Sequence, residues 1–125
     1  MSPELLSTAV SLGETLVGLN LSKGQYARTF LGGGIFSKVD FSQADFRQAD
    51  LRETVFDQCN LAGALFGGAQ LRRAVFNQCQ MEHVDFRSAN LHAAVLNECL
   101  AMHGQFGQAV LTMATLAKSR LDRKS

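Results

Sequence analysis

The chain is expected to fold as an all-β solenoid with four short sides to a coil, about five coils tall, with one helix at its N-terminal end. Three observations predict it. A large apolar residue recurs every five positions from Leu21 to Leu121: ten Leu, eight Phe, Tyr26, Met81 and Ala101 in 21 places. Two residues before each of these, from Gly24 to Ser119, come twenty consecutive residues drawn only from Gly, Ala, Cys, Ser, Thr and Val. Residues twenty apart are alike, so four pentads complete one coil. A period of five fits neither a helix nor a flat strand, so the chain must turn on its own schedule.

The elements follow in order. Ser2, Pro3 and Glu4 are an N-cap, a first-turn proline and a first-turn acid, which predicts a helix over 3–12. Leu5, Leu6, Ala9 and Val10, with Leu12 beyond them, supply its apolar face, and Gly13 ends it. Residues 1–18 are read as this capping helix and a linker, 19–121 as the solenoid and 122–125 as a polar tail. One inward column reads Tyr26, Phe46, Phe66, Phe86, Phe106; the next Leu31, Leu51, Leu71, Leu91, Leu111; a third Phe36, Phe56, Phe76, Leu96, Leu116. Eight of the nine Phe are rungs of this core, and Phe30 alone falls outside the register. At the C-terminal end Leu116 and Leu121 keep register with little after them, so the last coil stacks on a second copy, is crossed by the tail, or continues into a longer chain. A homodimer through this end is the favoured reading.

Phrases such as Ala44-Asp45-Phe46-Arg47-Gln48, Ala49-Asp50-Leu51-Arg52-Glu53 and Ala89-Asn90-Leu91-His92-Ala93 resemble the A(D/N)LXX consensus of the pentapeptide-repeat family. The resemblance covers residues 19–121 and implies a right-handed quadrilateral parallel β-helix. At about 4.8 Å per strand spacing the rod is roughly 25 Å tall. It also implies a non-enzymatic scaffold for protein–protein interaction. In repeat style the chain is similar to members associated with bacterial type VI secretion, where an adaptor role is suspected. An alternative is a gyrase-binding DNA mimic like the quinolone-resistance members. Mimicry needs a dense surface of one sign, and here Asp40, Asp45, Asp50 and Glu53 are offset by Arg47, Arg52, Arg72 and Arg73.

Composition narrows the function classes. Twelve basic and eleven acidic residues in 125 leave a net charge of +1, with only 18% charged, which argues against a nucleic-acid binder. No basic leader and no apolar run of about twenty residues predict a cytoplasmic protein with no membrane partner. No hydrolase elbow, phosphate loop or metalloprotease motif occurs, so no catalysis, small-molecule substrate, cofactor or metal is expected. Gly32, Gly33 and Gly34 read as a turn, with Gly34 the small inward residue. Cys59, Cys79 and Cys99 read as a ladder of small core residues and are expected to be inert. His83 and His103 should stack at one outward corner near Glu82.

Candidate sites lie on the outward rows. Ile35, Val55, Val75, Val95 and Thr115 form a β-branched stripe about 19 Å long, rimmed by Asp57, Gln58, Asn77, Gln78 and Asn97. It reads as an interaction strip, with strand-suited filler as the alternative. Arg52, Arg72, Arg73 and His92 form a basic row, with Arg47 and Arg87 on the adjoining side. The row suits an acidic partner or phosphate, diluted by Asp45, Asp50 and Asp85. Gly63, Gly67 and Gly68 thin one coil into a shallow waist.

Overall fold

The computed structural model describes residues 1–121, so the polar tail at 122–125 lies outside the described residues. Helix α1 (Pro3–Ser11) begins where its cap predicts: the Leu5 N–H donates to Ser2 Oγ at 3.1 Å. It ends at Leu12, after which Gly13 turns with φ +78. Leu6 is the residue of its apolar face that is fully buried, against the first coil, with Ala9 and Val10 beside it. Leu5 and Leu12 face solvent instead.

The rest is a parallel β-solenoid. Strands β1 (Thr15–Val17), β2 (Ile35–Ser37), β3 (Val55–Asp57), β4 (Val75–Asn77), β5 (Val95–Asn97) and β7 (Thr115–Ala117) form one six-stranded parallel sheet, each pairing with the strand twenty residues on. Strands β6 (Leu100–Ala101) and β8 (Arg120–Leu121) pair on the neighbouring side. Pairing thus starts at Thr15, within the segment read as linker, with Leu16 as an additional inward rung. On the other sides single parallel bridges connect the coils, as at Asp45↔Leu65 and Leu65↔Asp85.

The turning has a local cause. In every pentad the second residue after the inward one is left-handed, from Gly18 to Lys118, with φ between 52° and 76°. Tight turns close around it, as where the Ala44 N–H donates to Phe41 O at 3.0 Å. The Asp or Asn before the inward residue accepts the backbone N–H two residues on: Ser42 N–H to Asp40 Oδ1 at 2.9 Å, Ala62 N–H to Asn60 Oδ1 at 3.0 Å, His92 N–H to Asn90 Oδ1 at 3.0 Å. That side-chain turn is what the acidic or amide position of the repeat provides.

Four columns fill the interior. The Phe46 and Phe56 columns stack within themselves, with Phe46–Phe66 at 5.1 Å and Phe56–Phe76 at 5.1 Å between centroids. They meet edge to face across the core, Phe56–Phe66 at 6.3 Å and 83°, the geometry aromatic quadrupoles prefer. The Leu51 and Leu61 columns fill the other two sides, and only small residues fit between the rings: a Cβ at Gly34 would stand 2.9 Å from the Phe36 ring. At the C-terminal end the columns are open among the described residues. Leu111 is 38% and Leu116 39% exposed, whereas inner rungs such as Leu71 and Phe76 are fully buried.

Candidate interaction surfaces

The Phe56 side carries the six-stranded sheet. Register places Ile35, Val55, Val75, Val95 and Thr115 opposite one another in a single ladder. Ile35 and Thr115 are exposed and the three valines half-buried, while Phe36, Phe56, Phe76 and Leu96 between the rows point inward. The polar rim is ordered. Asn77 Nδ2 donates to Asp57 Oδ1 at 2.7 Å and Asn97 Nδ2 to Asn77 Oδ1 at 2.9 Å. Next to it Gln78 Nε2 donates to Glu98 Oε2 at 2.8 Å. A pre-ordered rim of this kind loses little side-chain freedom when a partner covers it.

The basic row on the Leu51 side is not uniform. Arg52 is held by its own pentad, its Nε and Nη2 donating to Asp50 at 2.9 and 2.7 Å. Arg47 and Arg87 on the Phe46 side make the same fork with Asp45 and Asp85. In each case the guanidinium's hydrogen bonds hold the carboxyl below the usual carboxylate range. Arg72 and Arg73 follow Gln70 instead of an aspartate, and neither makes an ion pair among the described residues. His92 continues the row, its Nδ1 2.9 Å from Thr112 Oγ1.

Gly67 lies between Arg47 and Arg87, and a Cβ there would stand 3.7 Å from both. His83 and His103 stack with centroids 5.0 Å apart. The three cysteines are buried, and their thiols donate to Phe36 O, Phe56 O and Phe76 O at 3.4, 3.2 and 3.2 Å. Burial pushes the Cys59 thiol up to about 11. Contact with Cys99, reinforced by burial, raises Cys79 well above the thiol range.

Sequence reasoning did not assign a role to Phe30. It is 75% exposed, in the outward row it shares with Asp50, Gln70 and Asn90. A depression of about 520 Å³ between α1 and the first coil opens on one flank, and another of about 510 Å³, lined also by Arg28, Asp50 and Arg52, on the other. The available signal was its position, since no other Phe leaves the inward register.

These features, a filled four-sided core with ordered outward ladders, define a repeat solenoid. The family described as "pentapeptide repeat region" matches residues 31–106 and 55–125, and the chain belongs to it. Its fold is similar to HetL, a pentapeptide repeat protein involved in heterocyst differentiation regulation in the cyanobacterium Nostoc sp. strain PCC 7120: TM-score 0.77 and 21% identity over 90% of this chain. The chain spans 62% of HetL's length. Rfr23 from the cyanobacterium Cyanothece 51142 is similar over 96% of this chain and 95% of its own, with TM-score 0.71 and 17% identity. Trypsin-treated QnrB1, a plasmid-mediated fluoroquinolone resistance protein, gives TM-score 0.58 and 20% identity over 84% of this chain and 70% of its own. No curated protein sequence matches the chain.

Proposed function

We propose that the protein is a non-enzymatic scaffold that binds another protein through the Phe56 side. The observation that carries this is the stripe Ile35, Val55, Val75, Val95, Thr115, aligned in register on one parallel sheet beside a hydrogen-bonded polar ladder. An apolar strip with a polar rim is the common anatomy of a protein interface. An adaptor in a bacterial type VI secretion system, in the cytoplasm, is one setting for such a scaffold; it rests on repeat style alone. Duplex mimicry is disfavoured because Asp45, Asp50 and Asp85 are each engaged by an arginine, so the acids do not form a field of one sign. Affinity capture from the native cell, compared between the chain and a Val55→Asp/Val75→Asp/Val95→Asp variant, tests the reading. Proteins retained by the first and lost by the second support it; identical partner lists and identical association state refute it.

A second reading, self-association through the C-terminal end, is favoured by the exposed rungs Leu111 and Leu116. Sedimentation of the chain beside a Leu111→Glu/Leu116→Glu variant decides it.

A further inference from the structure

We propose that the Leu51 side carries a second docking site, distinct from the valine stripe, for a short extended acidic segment of a partner protein anchored by an aromatic or large aliphatic residue against Phe30. The site is a run of adjoining depressions. The first lies between α1 and Thr29 and Phe30, the next between Phe30 and Arg52. From Asp50 and Arg52 the run continues into a notch over Gly32 and Gly33, and then between Glu53, Arg72 and Arg73.

Nothing in the fold requires a phenylalanine at position 30. Its backbone bridges to Asp50, and its carbonyl accepts Ser7 Oγ from α1 at 2.8 Å, which fixes the chain there while the ring stays in solvent. The corresponding residues of the next four coils are Asp50, Gln70, Asn90 and Val110, so Phe30 is the row's one aromatic among the described residues. Aromatic residues, phenylalanine among them, are enriched in the buried cores of protein interfaces, and this one is held in place between two grooves.

The charge is complementary to an acidic occupant. Arg28 donates through Nε to Gln48 Oε1 at 3.0 Å and has no ion pair, nor have Arg72 and Arg73, among the described residues. Asp50 is consumed by Arg52, and Glu53 offsets one of the free cations, so the excess around the lower depression is positive. Phe30 and Arg72 are two coils apart, about 10 Å, which an extended peptide covers in about three residues. The occupant is therefore a segment with its apolar anchor three or four positions from a pair of carboxylates.

Random dodecapeptides displayed on phage are selected on the full chain, and the best-enriched peptide, fluorescein-labelled, is the probe. The expected consensus is one aromatic or large aliphatic residue three or four positions from two acids. Phe30→Ala and Arg72→Glu/Arg73→Glu should each bind the probe about tenfold more weakly, with unchanged circular dichroism and melting. Gly32→Trp should weaken it too, because it fills the notch while its Cβ clears the nearest atom, Arg52 O, by 3.5 Å. Val55→Asp should leave the probe's affinity unchanged, which separates this site from the valine stripe. No consensus, a basic or uncharged consensus, equal binding by the Phe30 and arginine variants, or preference for oligothymidylate over the peptide overturns the proposal.

Discussion

Leu71 and Leu111 offer an internally controlled measure of what stacking contributes. They occupy the same column of the same side, two coils apart, but Leu71 is sealed between Leu51 and Leu91 whereas Leu111 is 38% exposed. Around Leu71 the backbone is held to the coil on each side, through Leu51 N–H to Gln70 O at 2.8 Å and Leu71 N–H to Asn90 O at 2.8 Å. Those ladders prevent collapse into the space that Leu71→Ala leaves, so the cavity persists and the cost should be about 3 kcal/mol. Leu111→Ala leaves a dent open to water in place of a cavity, so only part of the transfer free energy is lost, about 1 kcal/mol. The assay is urea unfolding of the full chain at micromolar concentration, followed by far-ultraviolet circular dichroism, with m checked for constancy. A gap of about 2 kcal/mol is expected. Equal costs at low concentration would refute the reasoning, because the last coil would then be covered. A Leu111 cost that grows with protein concentration would mark a second copy as the cover.

Cys59, Cys79 and Cys99 should react with a thiol reagent at mild alkaline pH only as fast as the chain unfolds, since all three are buried, and at Cys59 burial also pushes the thiol up to about 11; rapid labelling of native Cys79 contradicts the inward ladder. The Asp45 carboxyl, held low chiefly by hydrogen bonds from Arg47, has a folded value below its unfolded value of about 3.9. Its contribution is therefore complete above that unfolded value and lost as pH falls through the folded one, and Arg47→Gln should shrink the acid loss of the urea midpoint. Identical pH profiles between about pH 5 and 2 for the two chains would contradict the fork. Gly34→Ala should cost about 1–3 kcal/mol by overpacking, because its Cβ would stand 2.9 Å from the Phe36 ring. Gly67→Ala, with its nearest contacts at 3.7 Å, should stay within about 0.5 kcal/mol; equal melting temperatures for the two variants would contradict the inward packing at Gly34.

The solenoid was legible because its two strictest requirements, a large and a small inward residue per pentad, fall on side-chain type. Leu31, Leu51 and the rings from Phe36 to Phe86 are buried as that pattern demands. The left-handed residue of each turn was not legible. Only four of its 21 occupants from Gly18 to Lys118 are glycine, and the other places hold Lys, Arg, Gln, Glu, His, Ser, Ala or Met. Inter-coil hydrogen bonds and core burial outweigh the local preference there, and no residue type marks the position. Leu16 was missed as a rung for a related reason: Glu14 occupies the place of its small partner, and the pattern breaks while the backbone pairing does not.

The docking surfaces were legible in part, and the illegible part concerns charge. Counted by rows, Asp50 and Arg52 look like neighbours that dilute a basic patch. Within a pentad they are one group, because the aspartate that closes the turn on the Arg52 N–H also accepts the Arg52 guanidinium. An Asp-x-Arg pentad is thus locally neutral, whereas Gln70-Leu71-Arg72-Arg73 has no aspartate of its own to hold either cation. Phe30 places an aromatic ring in a row that continues with Asp50, Gln70, Asn90 and Val110, where Asp50 and Asn90 close turns. Residues that depart from the local grammar without any need of the fold are the ones expected to serve a partner. Phe30, Arg72 and Arg73 are such departures, and the grooves run from one to the others.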